Sequence, residues 1–203
     1  DVKYCIGENT VPLSATASNS SYNLYYYTSE TSSAQMSITP SSTNVGETTF
    51  YVAEGQTNSC IGPKKPIKVI VYPKPTVTAP VTKTFEGCET NAITGLTYSE
   101  TEVNISLSQF TTAGGTFTNN NTVGTYSISY KDSKSGNCPI TVERVYKITT
   151  ICGSTIVNQI IKIQDTTAPV ITGTLSDLNI EGCSLSDLPS AVKTVAALES
   201  LGL

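Results

Sequence analysis

A chain of 203 residues has room for one or two domains. Only 14% of its residues are charged, and it holds neither His nor Trp. A net charge of −4 with a pI near 4.8 excludes the dense Lys/Arg face that phosphates require, so nucleic acid and anionic lipid are not expected partners.

Other classes fall to the same inventory. Without His, no Ser/His or Cys/His nucleophile arises. Gly114-Gly115 lacks the Lys and spacing of a phosphate loop. No apolar run approaches the ~20 residues of a membrane-spanning helix. The start, DVKYCIGENT, lacks the charged-then-apolar form of a signal peptide, so the chain reads as a mature part of something longer. Six cysteines in an acidic chain rich in Ser and Thr point to an oxidising, extracellular setting. They are scattered, with no CxxC pair, so no thiolate metal site is expected.

The first module is read over residues 1–74. Val11, Leu13, Ala15 and Ala17 alternate and predict a strand. Asn19-Ser-Ser is a turn. In Leu24-Tyr-Tyr-Tyr-Thr, Leu24 and Tyr26 share one face, and Tyr25 and Tyr27 the other. Further strands are expected at Thr49-Phe-Tyr-Val-Ala and Pro66-Ile-Lys-Val-Ile-Val-Tyr, with a loop carrying Cys60 between them. Several short strands with turn signals between them describe a β-sandwich. A proline-bounded spacer, residues 73–80, is extended and semi-rigid.

The second module is read over 75–166. Val103, Ile105 and Leu107 alternate as an inward-facing strand. Gly114-Gly115 and Asn119 to Asn121 are turns. Tyr126-Ser-Ile-Ser-Tyr-Lys and Ile140-Thr-Val-Glu-Arg-Val-Tyr-Lys-Ile predict a hairpin whose turn runs from Asp132 to Asn137. Thr155 to Ile163 is the last strand. Asp165-Thr-Thr-Ala-Pro then breaks the pattern, because Pro169 cannot donate to a ladder.

A truncated third repeat is read over 167–203. Ala168-Pro169-Val170 echoes Ala79-Pro80-Val81. Glu181-Gly182-Cys183 repeats Glu86-Gly87-Cys88, its cysteine 95 positions later, the size of one small β-domain. A strand is expected from Leu178 to Ile180. From Pro189 to Gly202, Val192, Val195, Leu198 and Leu201 follow helical spacing. The fold class is therefore all-β: tandem Ig-like sandwiches, with a short helix in the last repeat.

The first module resembles the Ig-like repeats of secreted surface proteins of Bacteroidota. The resemblance is carried by Lys3-Tyr-Cys-Ile-Gly, Asn23-Leu-Tyr-Tyr-Tyr-Thr, Thr49-Phe-Tyr-Val-Ala-Glu-Gly-Gln, Cys60 and Ile67-Lys-Val-Ile-Val. Tyr26 stands where that family often has Trp. The second and third modules resemble the repeats of SprB-type gliding-motility adhesins. The motifs are Glu86-Gly-Cys, Ala92-Ile-Thr-Gly-Leu-Thr-Tyr-Ser-Glu-Thr-Glu-Val, Gly136-Asn-Cys-Pro-Ile-Thr-Val, Ile151-Cys-Gly and Asp165-Thr-Thr-Ala-Pro-Val. The resemblance implies a very large type IX-secreted protein on the cell surface. A motor in the envelope would move it while it grips the substratum or an extracellular polysaccharide. The competing class is a carbohydrate-binding accessory module of a secreted enzyme.

In an Ig-like sandwich the last hairpin loop lies at the end where the chain arrives. Cys5 and Cys60 are placed together there, and a bond between them would contribute ~4 kcal/mol. Cys88 and Cys138 are placed at the opposite end and paired, with Cys88–Cys152 as the alternative. Cys152 lacks its usual mid-module partner, and Cys183 is expected to pair beyond Leu203.

Glu100 and Glu102 fall on one face of an extended segment and read as solvated, because a glycosidase needs two carboxylates across a cleft. Asp165, Asp177 and Glu181 surround the boundary of the last repeat, where calcium would find oxygen ligands; no other cofactor is expected. Tyr25 and Tyr27 are the residues available to stack on sugar rings if that face is open, and cross-strand packing is the competing use. Asn19-Ser-Ser, Asn104-Ile-Ser and Asn120-Asn-Thr match the N-glycan pattern, and Asp165-Thr-Thr an O-glycan pattern.

Overall fold

In a computed structural model, residues 1–170, 172, 179, 181–187, 190–191 and 194–200 are described. Residues 1–165 form one compact unit and 166–203 a second.

In the first sheet, β1 (Val2–Cys5), β2 (Asn23–Tyr27), β3 (Gly46–Thr57), β4 (Cys60–Ile61) and β5 (Lys65–Tyr72) take the order β1-β5-β3-β2, with β4 on β3. β3 is antiparallel to β2 and β5. β1 instead lies parallel to β5, from Val2 beside Val69 to Cys5 beside Tyr72. Alternation places Tyr26, Phe50, Val69 and Val71 on the covered face, with Tyr4 from β1. The facing layer is irregular chain. Leu13 and Ile38 are buried from it, and the Leu13 amide donates to the Ile38 carbonyl at 2.8 Å. The strand expected from Val11 to Ala17 does not form. Pro12 has no amide to donate, Leu13 alone of the set is buried, and Val11 is 64% exposed.

The second sheet follows the same plan. Its elements are β6 (Val77–Thr78), β7 (Lys83–Glu86), β8 (Val103–Ile105), α1 (Leu107–Ala113), β9 (Thr116–Phe117), β10 (Tyr126–Ser135), β11 (Ile140–Thr150) and β12 (Gly153–Gln164). The order is β7-β12-β11-β10-β8, and β7 again adds in parallel to the last strand. β6 and β9 pair as a small second sheet. With α1 they cover Ile128, Tyr130, Tyr146 and Ile148. Both modules are therefore Ig-like β structures, in keeping with the all-β class expected.

The alternation at Val103 and Ile105 does not continue. Ser106 caps α1 by accepting from the Gln109 amide at 3.2 Å, and the Gln109 side chain accepts from the Ser106 amide at 2.9 Å. The helix carries Phe110, fully buried, against the edge of the Tyr146 ring with centroids 5.1 Å apart. Gly115 sits where a Cβ would stand 2.3 Å from the Phe110 ring, so any larger residue displaces the helix.

The predicted hairpin forms, but Asp132 is in β10 and not in its turn. It lies directly opposite Arg144 of β11. Both side chains are buried, and the Arg144 Nε and Nη2 donate to the carboxylate at 2.7 and 2.8 Å. Arg144 also donates to the Thr97 carbonyl and lies over the Tyr130 ring. Asp132 accepts from the Ser99 amide at 3.0 Å. The pair thus pins residues 97–99 across the sheet. Burial opposes the Arg144 charge, but the hydrogen bonds and charge of Asp132 outweigh it and hold its pKa above the ordinary arginine value.

Three tyrosines titrate late. Burial, then the hydrogen bond to Glu100, pushes Tyr98 up to about 12. Burial raises Tyr27 and Tyr146. Each folded hydroxyl holds its proton more tightly than the unfolded one, whose pKa is about 10. Ionising them therefore costs the folded state more than the unfolded one, so stability is unaffected below about pH 10 and falls as pH rises toward the folded values. Tyrosinate absorbance of the folded chain should lag that of the denatured chain, and alkaline melting should begin above pH ~10.

In the second unit, α2 (Val195–Glu199) is capped by Thr194. It accounts for part of the expected helix; Pro189, Val192, Leu201 and Gly202 lie outside the described residues, as do Leu178 and Ile180 of the expected strand. Cys88 is followed at an offset of two by a 3-10 turn, Thr90–Ala92, and Cys183 by another, Leu185–Asp187. The Glu-Gly-Cys echo thus extends to backbone conformation.

Candidate functional site: the joint between the two β modules

The candidate site lies where the two sheets meet. β1 runs alongside β5 in the same direction, so its last residue, Cys5, arrives at the downstream end of the first module beside Tyr72. β11 and β12 are joined by the turn at Ile151-Cys152, which places Cys152 at the upstream end of the second module. The two cysteines are bonded, with Cα atoms 5.5 Å apart and a sequence separation of 147.

The expected Cys5–Cys60 bond is therefore not made. It assumed that Cys5 stays where the chain arrives. The parallel β1–β5 pairing carries Cys5 along the sheet, while Cys60, in β4 beside the β3 turn, remains at the other end. The eight residues of β5 separate them, about 26 Å at the strand rise. Cys60 is exposed and unbonded, as is Cys183. Cys88 and Cys138 are bonded as expected, Cys88 just beyond β7 and Cys138 in the β10–β11 turn.

The other connection at the joint is the spacer. Asn119 brackets it: its Oδ1 accepts from the Thr76 amide at 2.8 Å, and its Nδ2 donates to the Lys74 carbonyl at 2.6 Å. The Thr118 amide donates to the Thr76 carbonyl, and the β6–β9 pair continues the stitching. The Tyr72 ring packs on Gly124, where a Cβ would come within 3.0 Å of it and φ is +74°. The spacer read as semi-rigid from its prolines is thus held by side-chain bonds as well. Asn119→Ala removes both bracket bonds and should lower stability by ~1–2 kcal/mol, seen as a lower urea midpoint with the Cys5–Cys152 bond intact. The sequence signal was available, since Asn119 opens the Asn run, but its reach to Lys74 was not.

Of the two uses read for Tyr25 and Tyr27, sugar stacking and cross-strand packing, the structure shows packing. Tyr25 and Tyr27 are buried, at 7% and 2% exposure, with Ala53, Ala34 and Tyr51. After β2 the chain doubles back, and Gln35 pairs with Tyr26 along the edge of β2, which brings Ala34 against the Tyr25 and Tyr27 cluster. Lys64 Nζ sits 3.7 Å above the Tyr27 ring. The Tyr27 hydroxyl is buried with no hydrogen-bond partner. Tyr27→Phe should raise stability by ~1 kcal/mol, read from thermal or urea melting, because it removes an unsatisfied polar group and keeps the ring.

Glu100 and Glu102 are exposed, accepting from the Tyr98 and Ser129 hydroxyls at 2.7 and 2.6 Å. Among the described residues no three acidic or thiol side chains are grouped to hold a metal. Asp177, one of the three candidates for calcium with Asp165 and Glu181, lies outside those residues. Nor, among them, is any helix long and apolar enough to cross a membrane.

No family model and no curated protein matches the chain. Among solved structures, fibronectin(III)-like modules of Clostridium thermocellum CbhA are similar over 84% of this chain and 94% of theirs, at 13% identity and a TM-score of 0.33. Drosophila N-cadherin EC1-3 is similar over 81% of this chain and 64% of its own, at 11% identity and a TM-score of 0.26. An endo-fucoidan hydrolase of glycoside hydrolase family 107 is similar over 82% and 28%, at 9% identity and a TM-score of 0.23.

Proposed function

We propose that the chain is a non-catalytic stretch of a secreted, cell-surface repeat adhesin of the SprB type, serving attachment and gliding. The observation that carries this reading is the joint. Two Ig-like modules are linked end to end by a spacer, Cys5–Cys152 bonds one to the next, and Asn119 brackets the spacer. A protein that transmits force gains from such a joint, because the disulfide keeps tension from reaching the enclosed residues. Two disulfides in one chain fit an oxidising, extracellular compartment. The partners would be substratum or polysaccharide, further repeats of the same kind, and the gliding and secretion machinery. Many weak contacts along such an array sum through effective concentration.

The test is surface labelling and deletion in the producing cells. Antibody against the chain should label intact cells, and deleting its coding region should abolish attachment and gliding. Labelling only after lysis would contradict the proposal. So would a deletion that spares attachment and impairs growth on a polysaccharide, the result expected of an accessory module.

A further inference from the structure

The main sheets of the two modules correspond in strand order, β1-β5-β3-β2 to β7-β12-β11-β10. β5 and β12 are the last strands, each with the module's first strand added in parallel, and β3 and β11 are their antiparallel neighbours. The β3–β5 connection of the first module thus occupies the place of the β11–β12 turn of the second. The second module's turn presents Ile151-Cys152, and the first module's presents Cys60-Ile61. Ile151 is 43% exposed and Ile61 36%. Cys152 at this place is bonded to Cys5 of the module before it. Cys60 at the same place is exposed, unbonded and out of reach of Cys5.

We infer that Cys60 is one half of a second inter-module disulfide. Its other half is the cysteine at the downstream end of the first strand in another β module, stacked on the upstream end of this one as the first module is stacked on the second. The surface there has a receiving shape. A cavity of about 260 Å³ opens beside the β4 segment, lined by Ala15, Leu24, Gly62 and Pro63 among others. It is the right kind of place for a side chain such as Tyr72, which at the known joint leans across onto Gly124.

The bond forms by exchange with a disulfide-bearing oxidoreductase. One thiolate attacks the oxidant's disulfide and expels one of its sulfurs. The second thiolate then displaces the oxidant's other sulfur from the mixed disulfide. Two cysteine thiols lose two protons and two electrons, and the oxidant's disulfide becomes two thiols.

This inference rests on the array reading and is tested on the native protein recovered from its cells. Free thiols are blocked with an alkylating reagent before lysis, and disulfide-linked peptides are mapped by mass spectrometry without reduction. The Cys60 peptide should be recovered joined to a cysteine peptide from outside residues 1–203. In cells carrying Cys60→Ser, that same outside cysteine should become alkylatable while Cys5–Cys152 stays bonded. Cys60 recovered alkylated, or joined to Cys183 of another copy, overturns the inference. If Cys5–Cys152 is intact in that case, the array reading survives; if Cys5 is alkylated as well, the array reading fails too.

Discussion

Replacing Cys152 with serine should lower the stability of the 1–165 unit by ~5 kcal/mol, the largest effect of any single change at the joint. The bond spans 147 residues, and chain entropy rises with the logarithm of that number. Cys88–Cys138 spans 50 and should be worth ~4 kcal/mol on the same basis. The variant keeps every strand, so its circular dichroism should match the parent. Its urea midpoint should fall and the two modules should melt at separate midpoints, whereas Cys60→Ser should leave the recombinant chain's midpoint unchanged. An unchanged midpoint in Cys152→Ser would mean that the spacer alone holds the joint.

Asp132→Ala should cost ~3–5 kcal/mol, because it leaves the Arg144 guanidinium buried without its counter-charge. For a chain of this size that is on the order of 10 °C in melting temperature. The Ser99 amide loses its acceptor as well. The double replacement Asp132→Leu with Arg144→Met removes both charges and should be less damaging than Asp132→Ala. If the double variant proves the worse of the two, the pair is doing more than neutralising itself, and the anchoring of residues 97–99 through Thr97 and Ser99 is what matters.

These two effects differ in how visible they are in the sequence. The β10–β11 hairpin is legible because Ile128, Tyr130, Val142, Tyr146 and Ile148 alternate. Asp132 is not, because aspartate is a turn residue by local rules, and only a partner twelve positions away makes it a strand residue. Helix α1 was hidden for the opposite reason. Leu107 extends the alternation of Val103 and Ile105, and seven residues are too few to show a helical period. The Ser106–Gln109 capping box was the one local sign. In β2, alternation placed Tyr26 correctly on one face and Tyr25 and Tyr27 on the other. Both faces turn out to be covered, because a Ser- and Thr-rich segment that reads as solvent-facing loop folds back along β2 at Gln35 and packs Ala34 against Tyr25 and Tyr27.

The cysteines show the same limit. Cys88–Cys138 follows from strand order within one module. Cys5–Cys152 requires knowing that β1 is parallel to β5, a direction that periodicity does not encode, and that the partner belongs to the next module.

The claim that the joint shields the chain from tension is tested most directly by pulling single molecules from their two ends. In the oxidised chain residues 6–151, enclosed by Cys5–Cys152, should not extend, and the contour gained should come only from segments outside the bond. Adding reductant should release those residues, a further extension on the order of 500 Å. An oxidised chain that gives up that full length under force would contradict the account.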